Sequence, residues 1–218
     1  MTLEEQLRRA VEKLEASEIP YALAGGLAAS IYGEERVTKD IDFAIGGERN
    51  PIAAGKQMLS ELGLTVSIAR EADLDGGPLF AIKRRKTREM ILVGRDPERR
   101  APGVDLLLPS NPWVRQALER AQENALDFGY RKIPTVTVED MIVCKLLSSH
   151  RANREQDVLD LRSIFRAGHE LDFIYLAARM KEFGATVPKS VEPDAPIEVL
   201  ELSRRIARGE RRRVSKRD

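Results

Sequence analysis

The stretch YALAGGLAASIYGEERVTKDIDFAI, residues 21–45, determines the fold expected for this chain. Its apolar start predicts a short strand, and the double glycine Gly25-Gly26 predicts a turn into a brief helix. Its last six residues predict a second strand, on which Asp40 and Asp42 lie two positions apart. Alternate side chains of a strand share a face, so the two carboxylates project together while the apolar residues between them face a core.

Two carboxylates held side by side on a strand repel each other, and a divalent cation is the usual compensation. Mg²⁺ suits such a pair, because it is a hard ion that takes carboxylate oxygens and keeps phosphates and water as its other ligands. Gly25 and Gly26 let the backbone approach a ligand closely, and the N–H groups that open the helix can bind phosphate oxygens. Each feature alone is also explained by an ordinary turn or an exposed strand face. Together, in one strand–turn–helix–strand unit, they favour a functional site.

The order of these residues carries a resemblance to a known superfamily. An apolar residue followed by two glycines at 24–26, a spacer of thirteen residues, and the tetrapeptide DIDF at 40–43 resemble the motif of polymerase-β-like nucleotidyltransferases. That superfamily has a third acid, flanked by apolar residues, on a later strand, and Asp105 in the run VDL matches it. The resemblance covers about residues 20–165. It implies Mg²⁺ ions in a two-metal site, an NTP substrate and transfer of NMP to an acceptor hydroxyl.

The segment RVTKDID at 36–42 is more similar still to the branch that contains AbiEii-type toxins of toxin–antitoxin systems. In that branch a lysine and an aspartate on later helices complete the site, and Lys145 and Asp157 are the matching positions. The resemblance implies an RNA (tRNA) or protein acceptor and a cognate antitoxin. It implies catalytic roles for Asp40, Asp42, Asp105, Lys145 and Asp157, metal binding by the first three, and nucleotide binding by Gly25, Gly26, Ser30, Arg36, Lys39 and Lys145.

Several of these residues also have plainer explanations. Lys145 can be a solvated lysine that buries only its stem against its helix. Asp157 and Asp160, at i and i+3, share a helix face and can pair with nearby arginines. The flanking Arg36 and Lys39 can be ordinary surface charge. The residues alone leave these alternatives open.

The expected fold class is α/β (α+β), with a nucleotidyltransferase core of a mixed sheet flanked by helices and a helical C-terminal domain. Residues 1–110 are expected to form the catalytic domain and residues 111–218 the helical domain with a basic tail. Within the first domain, residues 79–83 and 88–93 predict a hairpin with a basic tip, and 94–103 a turn-rich loop. Thr2 and Glu5 have the pattern of a capping box before a first helix. Further helices are predicted from Asn111 to about Ala125 and from Asp172 to Gly184. A chain of 218 residues is long enough for either one large domain or two small ones.

Composition excludes some classes of protein. Apolar residues make up 42% and charged residues 33% of the chain, which is ordinary for a globular protein. No apolar run reaches the length of a membrane span, and the charged amphipathic start is unlike a signal peptide. The single cysteine, Cys144, allows no internal disulfide, and the two histidines lack zinc-ligand spacing. We therefore expect a cytoplasmic protein that does not associate with membranes.

Charge is distributed unevenly along the chain. Residues 203–218 hold eight Lys/Arg and two acids, or +6, whereas the remainder holds 28 basic and 33 acidic residues, or −5. A basic tail can bind a polyanion such as RNA, dock an acidic antitoxin, or simply be a solvated helix. Two rival functions share the expected fold: a catalytically inactive nucleotide-binding or antitoxin-like partner, and an antibiotic-modifying adenylyltransferase. The presence of all three acids favours an active enzyme.

Overall fold

The computed structural model describes residues 1–47, 50–70, 88–151 and 154–214, with side chains up to residue 209. The predicted basic hairpin tip and the strand at 79–83 lie outside the described residues, as does the end of the tail. The helices and strands, numbered in chain order among the described residues, are α1 (Leu3–Ala16), β1 (Tyr21–Ala24), α2 (Gly25–Tyr32), β2 (Asp40–Ile45), α3 (Pro51–Glu61), β3 (Thr65–Arg70), β4 (Glu89–Arg95), β5 (Gly103–Leu107), α4 (Val114–Ala121), β6 (Ala125–Asp127), β7 (Lys132–Pro134), α5 (Val138–Ser149), α6 (Glu155–Arg166), α7 (Phe173–Phe183) and α8 (Ile197–Val214).

The chain forms two compact units. The first combines Met1–Ala28 with Arg36–Thr137, and the second combines Ala29–Glu35 with the chain from Val138 onward. The division falls inside α2, so this short helix begins in one unit and ends in the other. Compact packing does not decide where an independently folding domain ends, so the predicted domain boundary after residue 110 stays a prediction.

A mixed five-stranded sheet forms the centre of the first unit. Its strand order is β1-β2-β5-β4-β3, with β2 and β5 parallel and the other neighbours antiparallel. The separate pair β6-β7 is a short antiparallel hairpin. The mixed α/β architecture with helices beside the sheet confirms the expected fold class.

Apolar residues of the strands and of α1 and α3 form the core of this unit. Helix α1 begins where the sequence predicts, because Thr2 and Glu5 form a capping box, with each side chain accepting from the other residue's backbone N–H. Asn50 likewise accepts the Ala53 N–H at the start of α3. Buried members of the core include Leu7, Val11, Leu14, Leu23, Ile41, Phe43, Leu59, Leu92, Val104 and Leu106.

The second unit is helical. Two acids in the first turn of α5 bind neighbouring elements: Glu139 accepts the backbone N–H of Asp172 at 2.8 Å, and Asp140 accepts the hydroxyl of Tyr175 at 2.5 Å. Asp172 also caps α7, which ends at Gly184 with a left-handed φ of 65°, as the sequence predicts. Buried apolar residues of α5, α6 and α7 pack in the interior of this unit.

Two predicted elements differ from the structure. The helix predicted from Asn111 to about Ala125 is shorter, spanning α4, and residues 125–127 instead pair with β7. The loop predicted over 94–103 begins two residues later, because β4 continues to Arg95 in register with β3. Both differences come from strand pairing, of β6 with β7 and of Arg95 with Thr65, which the pattern of a single segment does not reveal. None of the helices described by the structure is long and apolar enough to cross a membrane.

Candidate functional site

Strands β2 and β5 bring three carboxylates to one face of the sheet. In the parallel register Asp42 lies opposite Asp105, and Asp40 lies opposite Gly103. Directly paired residues of neighbouring strands share a face, and so do residues i and i+2 of one strand. Asp40, Asp42 and Asp105 therefore project to the same side, while Ile41 and its neighbours on the other face are buried in the core.

The double glycine fixes the position of Asp42. Helix α2 begins at Gly25, two residues earlier than the sequence suggests, and the Gly26 N–H donates to Asp42 Oδ2 at 3.2 Å. Gly25 has a left-handed φ of 61°, and a Cβ there would overlap the Asp42 carboxylate. Only glycine at position 25 permits this close approach of the turn to the acid.

Arg95, the last residue of β4, lies against two of the three acids. Its Nη1 and Nη2 form a bidentate ion pair with Asp105, with Nη2 at 3.0 Å from Oδ2, and Nη2 also lies 3.3 Å from Asp40 Oδ2. The Asp105 side chain is only 15% exposed, whereas Arg95 is 44% exposed. Arg95 thus partly neutralises a mostly buried carboxylate from a partly solvated position.

Burial and the positive charge of Arg95 shift the pKa of Asp105 in opposite directions. Desolvation raises the pKa of the Asp105 carboxyl, the ion pair with Arg95 opposes that rise, and the nearby negative charge of Asp40 adds to it. The net direction is upward. The hydrogen bonds to Asp105 raise the pKa of Arg95, so the guanidinium is firmly charged.

Of the other nucleotide-binding candidates around α2, Arg36 and Lys39 belong to the first unit and Ser30 to the second. A Cβ at Gly26 would lie 2.8 Å from Arg36 Nη2 and 2.9 Å from Thr38 Oγ1, so both side chains pack against this glycine. Lys39 is exposed beside Asp40. Ser30 lies in the second half of α2 and is half-buried, in the second unit.

Lys145 and Asp157 meet in the second unit. Lys145 Nζ lies 2.6 Å from Asp157 Oδ1 and 2.7 Å from Asp160 Oδ2, and the lysine side chain is 7% exposed. Burial alone would lower the pKa of Lys145, but the two carboxylates outweigh it and raise that pKa. Lys145 is therefore a buried charged lysine, and the alternative of a solvated surface lysine is wrong.

Asp157 has one oxygen without a hydrogen bond. Its Oδ2 is buried and accepts none among the described residues, and Arg154 Nη1 lies 3.9 Å away, too far for one. The Gln156 amide donates to Asp160 Oδ1 at 3.1 Å. Arginine pairing was an alternative for both acids, but the principal partner of each is Lys145.

Two residues of these clusters were missed by sequence reasoning. Arg95 was assigned to a loop, although its position ten residues before Asp105, on the other side of a turn-rich segment, is the signal expected of an antiparallel strand partner. Asp160 was noticed only as a neighbour of Asp157. Its i, i+3 spacing from Asp157 was the available signal, because such a pair can hold one cation between its carboxylates.

The donor set of the acid face fits a hard divalent cation, because it consists of carboxylate oxygens on a common face of rigid strands. Among the residues that the structure describes, however, no three His, Cys, Asp or Glu side chains are already grouped so that they could hold a metal ion. In the arrangement described, the Arg95 guanidinium bridges Asp40 and Asp105.

Comparison with solved structures gives distant neighbours. An antigenic nucleotidyltransferase-like protein from Paracoccidioides brasiliensis is 18% identical, with a TM-score of 0.44, over 96% of this chain and 90% of that one. The lincomycin-bound lincosamide antibiotic adenylyltransferase LnuA is 15% identical, with a TM-score of 0.46, over 75% and 98%. The antibiotic-resistance factor ANT(2'')-Ia is 12% identical, with a TM-score of 0.46, over 97% and 96%. A comparison with curated proteins gives no significant match.

The family comparison is more informative. Residues 7–214 match the family described as nucleotidyl transferase AbiEii toxin, type IV TA system. The chain belongs to this AbiEii family of toxin–antitoxin systems and is a nucleotidyltransferase. The family match spans almost the whole chain and agrees with the resemblance first seen in residues 20–165.

Proposed function

We propose that the protein is a Mg²⁺-dependent toxin that transfers NMP from an NTP to a hydroxyl of RNA, with tRNA as the first candidate, or of a protein. The single observation that supports this most strongly is the register of β2 and β5, which pairs Asp42 with Asp105 and aligns Asp40 on the same face. Phosphoryl-group transfer mainly requires positioning and charge neutralisation, and carboxylates on rigid strands would provide both by holding Mg²⁺.

Asp40, Asp42 and Asp105 would hold Mg²⁺, which neutralises charge on the triphosphate and lowers the pKa of the attacking hydroxyl when bound. The acceptor oxygen forms a bond to the α-phosphorus, the bond from that phosphorus to the bridging oxygen of the β-phosphate breaks, and pyrophosphate leaves. Asp105 takes the hydroxyl proton. In the ion-free protein burial raises the pKa of the Asp105 carboxyl.

The other predicted residues have supporting roles in this proposal. Gly25 and Gly26 hold Asp42 in place through the left-handed turn and the amide hydrogen bond. Arg36, Lys39 and Ser30 bind phosphate oxygens of the NTP. From the family resemblance we also propose that the Lys145 ammonium, which Asp157 and Asp160 hold in the arrangement described, contacts the triphosphate.

Biological context is also part of the proposal. The family belongs to toxin–antitoxin systems, so we propose that a cognate antitoxin controls this enzyme. We also propose a cytoplasmic location, because the single Cys144 allows no internal disulfide and fits a reducing compartment.

The test measures incorporation of label from an NTP into an acceptor of a cell extract. The purified full chain is incubated with each of four α-³²P-labelled NTPs, Mg²⁺ and a cell extract, and the products are separated before and after RNase or protease treatment. Asp42→Asn serves as the inactive control. We expect the wild-type protein to form a labelled product that RNase digests, and the Asp42→Asn variant to form none.

Other outcomes separate the alternatives. Label removed by protease alone would identify a protein acceptor. Transfer only to an added aminoglycoside or lincosamide would support an antibiotic-modifying enzyme, and NTP binding without any transfer would support an inactive nucleotide-binding partner. Either of these last two results would overturn the proposed function.

A further inference from the structure

The Arg95 guanidinium occupies lone pairs that a metal ion would need. It binds both oxygens of Asp105 and one oxygen of Asp40, while its Nη1 also donates to the Gly94 carbonyl at 2.9 Å. A bidentate arginine–carboxylate pair is strong and directional. A divalent cation ligated by the same carboxylates would compete with this guanidinium, since the two positive groups would share ligands and repel each other.

The fold leaves room for this arrangement. Gly103 lies opposite Asp40 on β5, and a Cβ at this position would lie 2.5 Å from Asp40 Oδ1 and 2.6 Å from Arg95 Nη1. Any larger residue would therefore push the carboxylate and the guanidinium apart. The absence of a side chain at position 103 is an observation independent of the ion pairs. It leaves the space in which the Arg95 guanidinium and the Asp40 carboxylate meet.

Release of Arg95 is also compatible with its position. The residue ends β4, and its side chain remains 44% exposed on a flexible stem. Asp105, in contrast, is mostly buried on a central strand and cannot move away. When another cation compensates Asp105, the guanidinium can turn into solvent without disturbing the sheet.

We infer that Arg95 is an internal counterion of the acid face, which a divalent cation must displace before the site can work. This inference rests on the proposed metal-dependent function and goes beyond it, because it assigns Arg95 the role of setting the metal affinity. It is a positioning residue that keeps the buried carboxylates compensated in the ion-free protein. If Arg95 is displaced from the carboxylates in about one molecule in ten, the apparent affinity for a divalent cation is about tenfold lower than that of the displaced form.

The test measures Mn²⁺ binding to the full chain by electron paramagnetic resonance of the free ion, without nucleotide. Arg95→Ala removes the counterion, and Arg95→Gln removes the charge but keeps a donor for Asp105, so it serves if the alanine variant folds poorly. Arg100→Ala is the matched control, since Arg100 is a 74% exposed arginine between β4 and β5 that pairs with Glu98. We expect both Arg95 variants to bind Mn²⁺ about tenfold more tightly than wild type, and the control to differ by less than about twofold.

A second measurement uses stability. In EDTA the Arg95→Ala protein should melt below wild type, because Asp105 has lost its partner, and Mn²⁺ should raise its melting temperature more than that of wild type. Equal Mn²⁺ affinity in wild type and both Arg95 variants would overturn the inference and leave the metal site intact. Failure of every protein to bind Mn²⁺ would overturn the inference and the proposed metal dependence together.

Discussion

Lys145 and Asp157 form a buried ion pair with 2.6 Å between Nζ and Oδ1, and Asp160 holds the same ammonium at 2.7 Å from its Oδ2. Two negative charges therefore surround one positive charge in the helical unit. Removing one partner of a buried ion pair leaves an uncompensated charge, which costs more than the pair itself contributes. This relationship gives Lys145 a measurable structural role in addition to the proposed catalytic one.

Lys145→Met should be strongly destabilising. The methionine fills a similar volume but leaves Asp157 and Asp160 unpaired, so we expect the free energy of unfolding to fall by about 3–5 kcal/mol. Urea denaturation measures the change, and Lys181→Met, at an exposed lysine of α7, is the control. Adding Asp157→Asn and Asp160→Asn should recover most of the loss. A fall of the same size in the Lys181 control would contradict the ion-pair explanation.

The proposed contact of Lys145 with triphosphate requires a separate test. Lys145→Arg keeps the charge but spreads it over a planar group of different shape, so it should retain only part of the NTP affinity. Lys145→Ala should weaken NTP binding and lower turnover more severely. Calorimetric titration at a temperature where each variant is folded measures binding. Unchanged NTP affinity in folded Lys145→Ala would confine this residue to stabilising α5 and α6.

Asp42→Asn should abolish transfer and preserve the fold. An asparagine oxygen can still accept the Gly26 N–H, whereas the lost negative charge weakens the metal site. We expect turnover to fall at least about 100-fold, and the melting temperature without metal to equal or exceed that of wild type because repulsion between acids is reduced. Asp127→Asn is the matched control, since Asp127 is exposed and accepts the Gly129 N–H in the same way. Wild-type turnover of Asp42→Asn with Mg²⁺ would rule out the metal site.

Gly25→Ala should disturb the same carboxylate from the backbone side. Gly25 and Gly63 both have left-handed φ values, 61° and 79°, but only at Gly25 would the added methyl group meet Asp42; nothing lies within 4 Å at Gly63. Gly63→Ala should therefore show backbone strain alone, about 1–2 kcal/mol. Gly25→Ala should lose about 1–3 kcal/mol more and bind Mn²⁺ less tightly. Equal stability and Mn²⁺ affinity of the two variants would contradict the close approach of Gly25 to Asp42.

Local sequence was sufficient to predict the strand–turn–helix–strand unit and the common face of Asp40 and Asp42. Strand periodicity and the double glycine act over a few residues, so their consequences can be derived without the rest of the chain. The capping box of α1 and the Asp172 and Gly184 ends of α7 were predicted for the same reason. Asp105 was added by resemblance, and its register with Asp42 followed only from the structure.

The partners of the acids could not be predicted from local patterns. Arg95 reaches Asp105 because β4 extends to residue 95 by pairing with Thr65 of β3, which lies far earlier in the chain. Asp160 pairs with Lys145 because α5 and α6 pack together; its i, i+3 spacing from Asp157 indicates a shared helix face but not which residue of α5 that face contacts. The helix boundary near Ala125 was wrong because residues 125–127 are drawn into a hairpin.

The structure changes how the basic tail should be tested. Helix α8 contains Ser203, which is buried and accepts the Val187 N–H at 2.9 Å. A truncation after Leu202, the cut that the sequence alone suggests, would remove this contact and confound the result. A cut after Gly209 leaves it in place and still removes five Lys/Arg and two acids, a net charge of +3.

Truncation after Gly209 should impair RNA labelling and leave NTP binding unchanged. Positive charge attracts a polyanion over long distances, and salt screens that attraction, so the apparent KM for RNA should rise about tenfold at low ionic strength and approach wild type at high salt. A small acceptor would not show this salt dependence. RNA labelling across a salt series, with NTP affinity as the internal control, measures the effect. Identical labelling by both proteins would leave antitoxin docking or a solvated helix as the role of the tail.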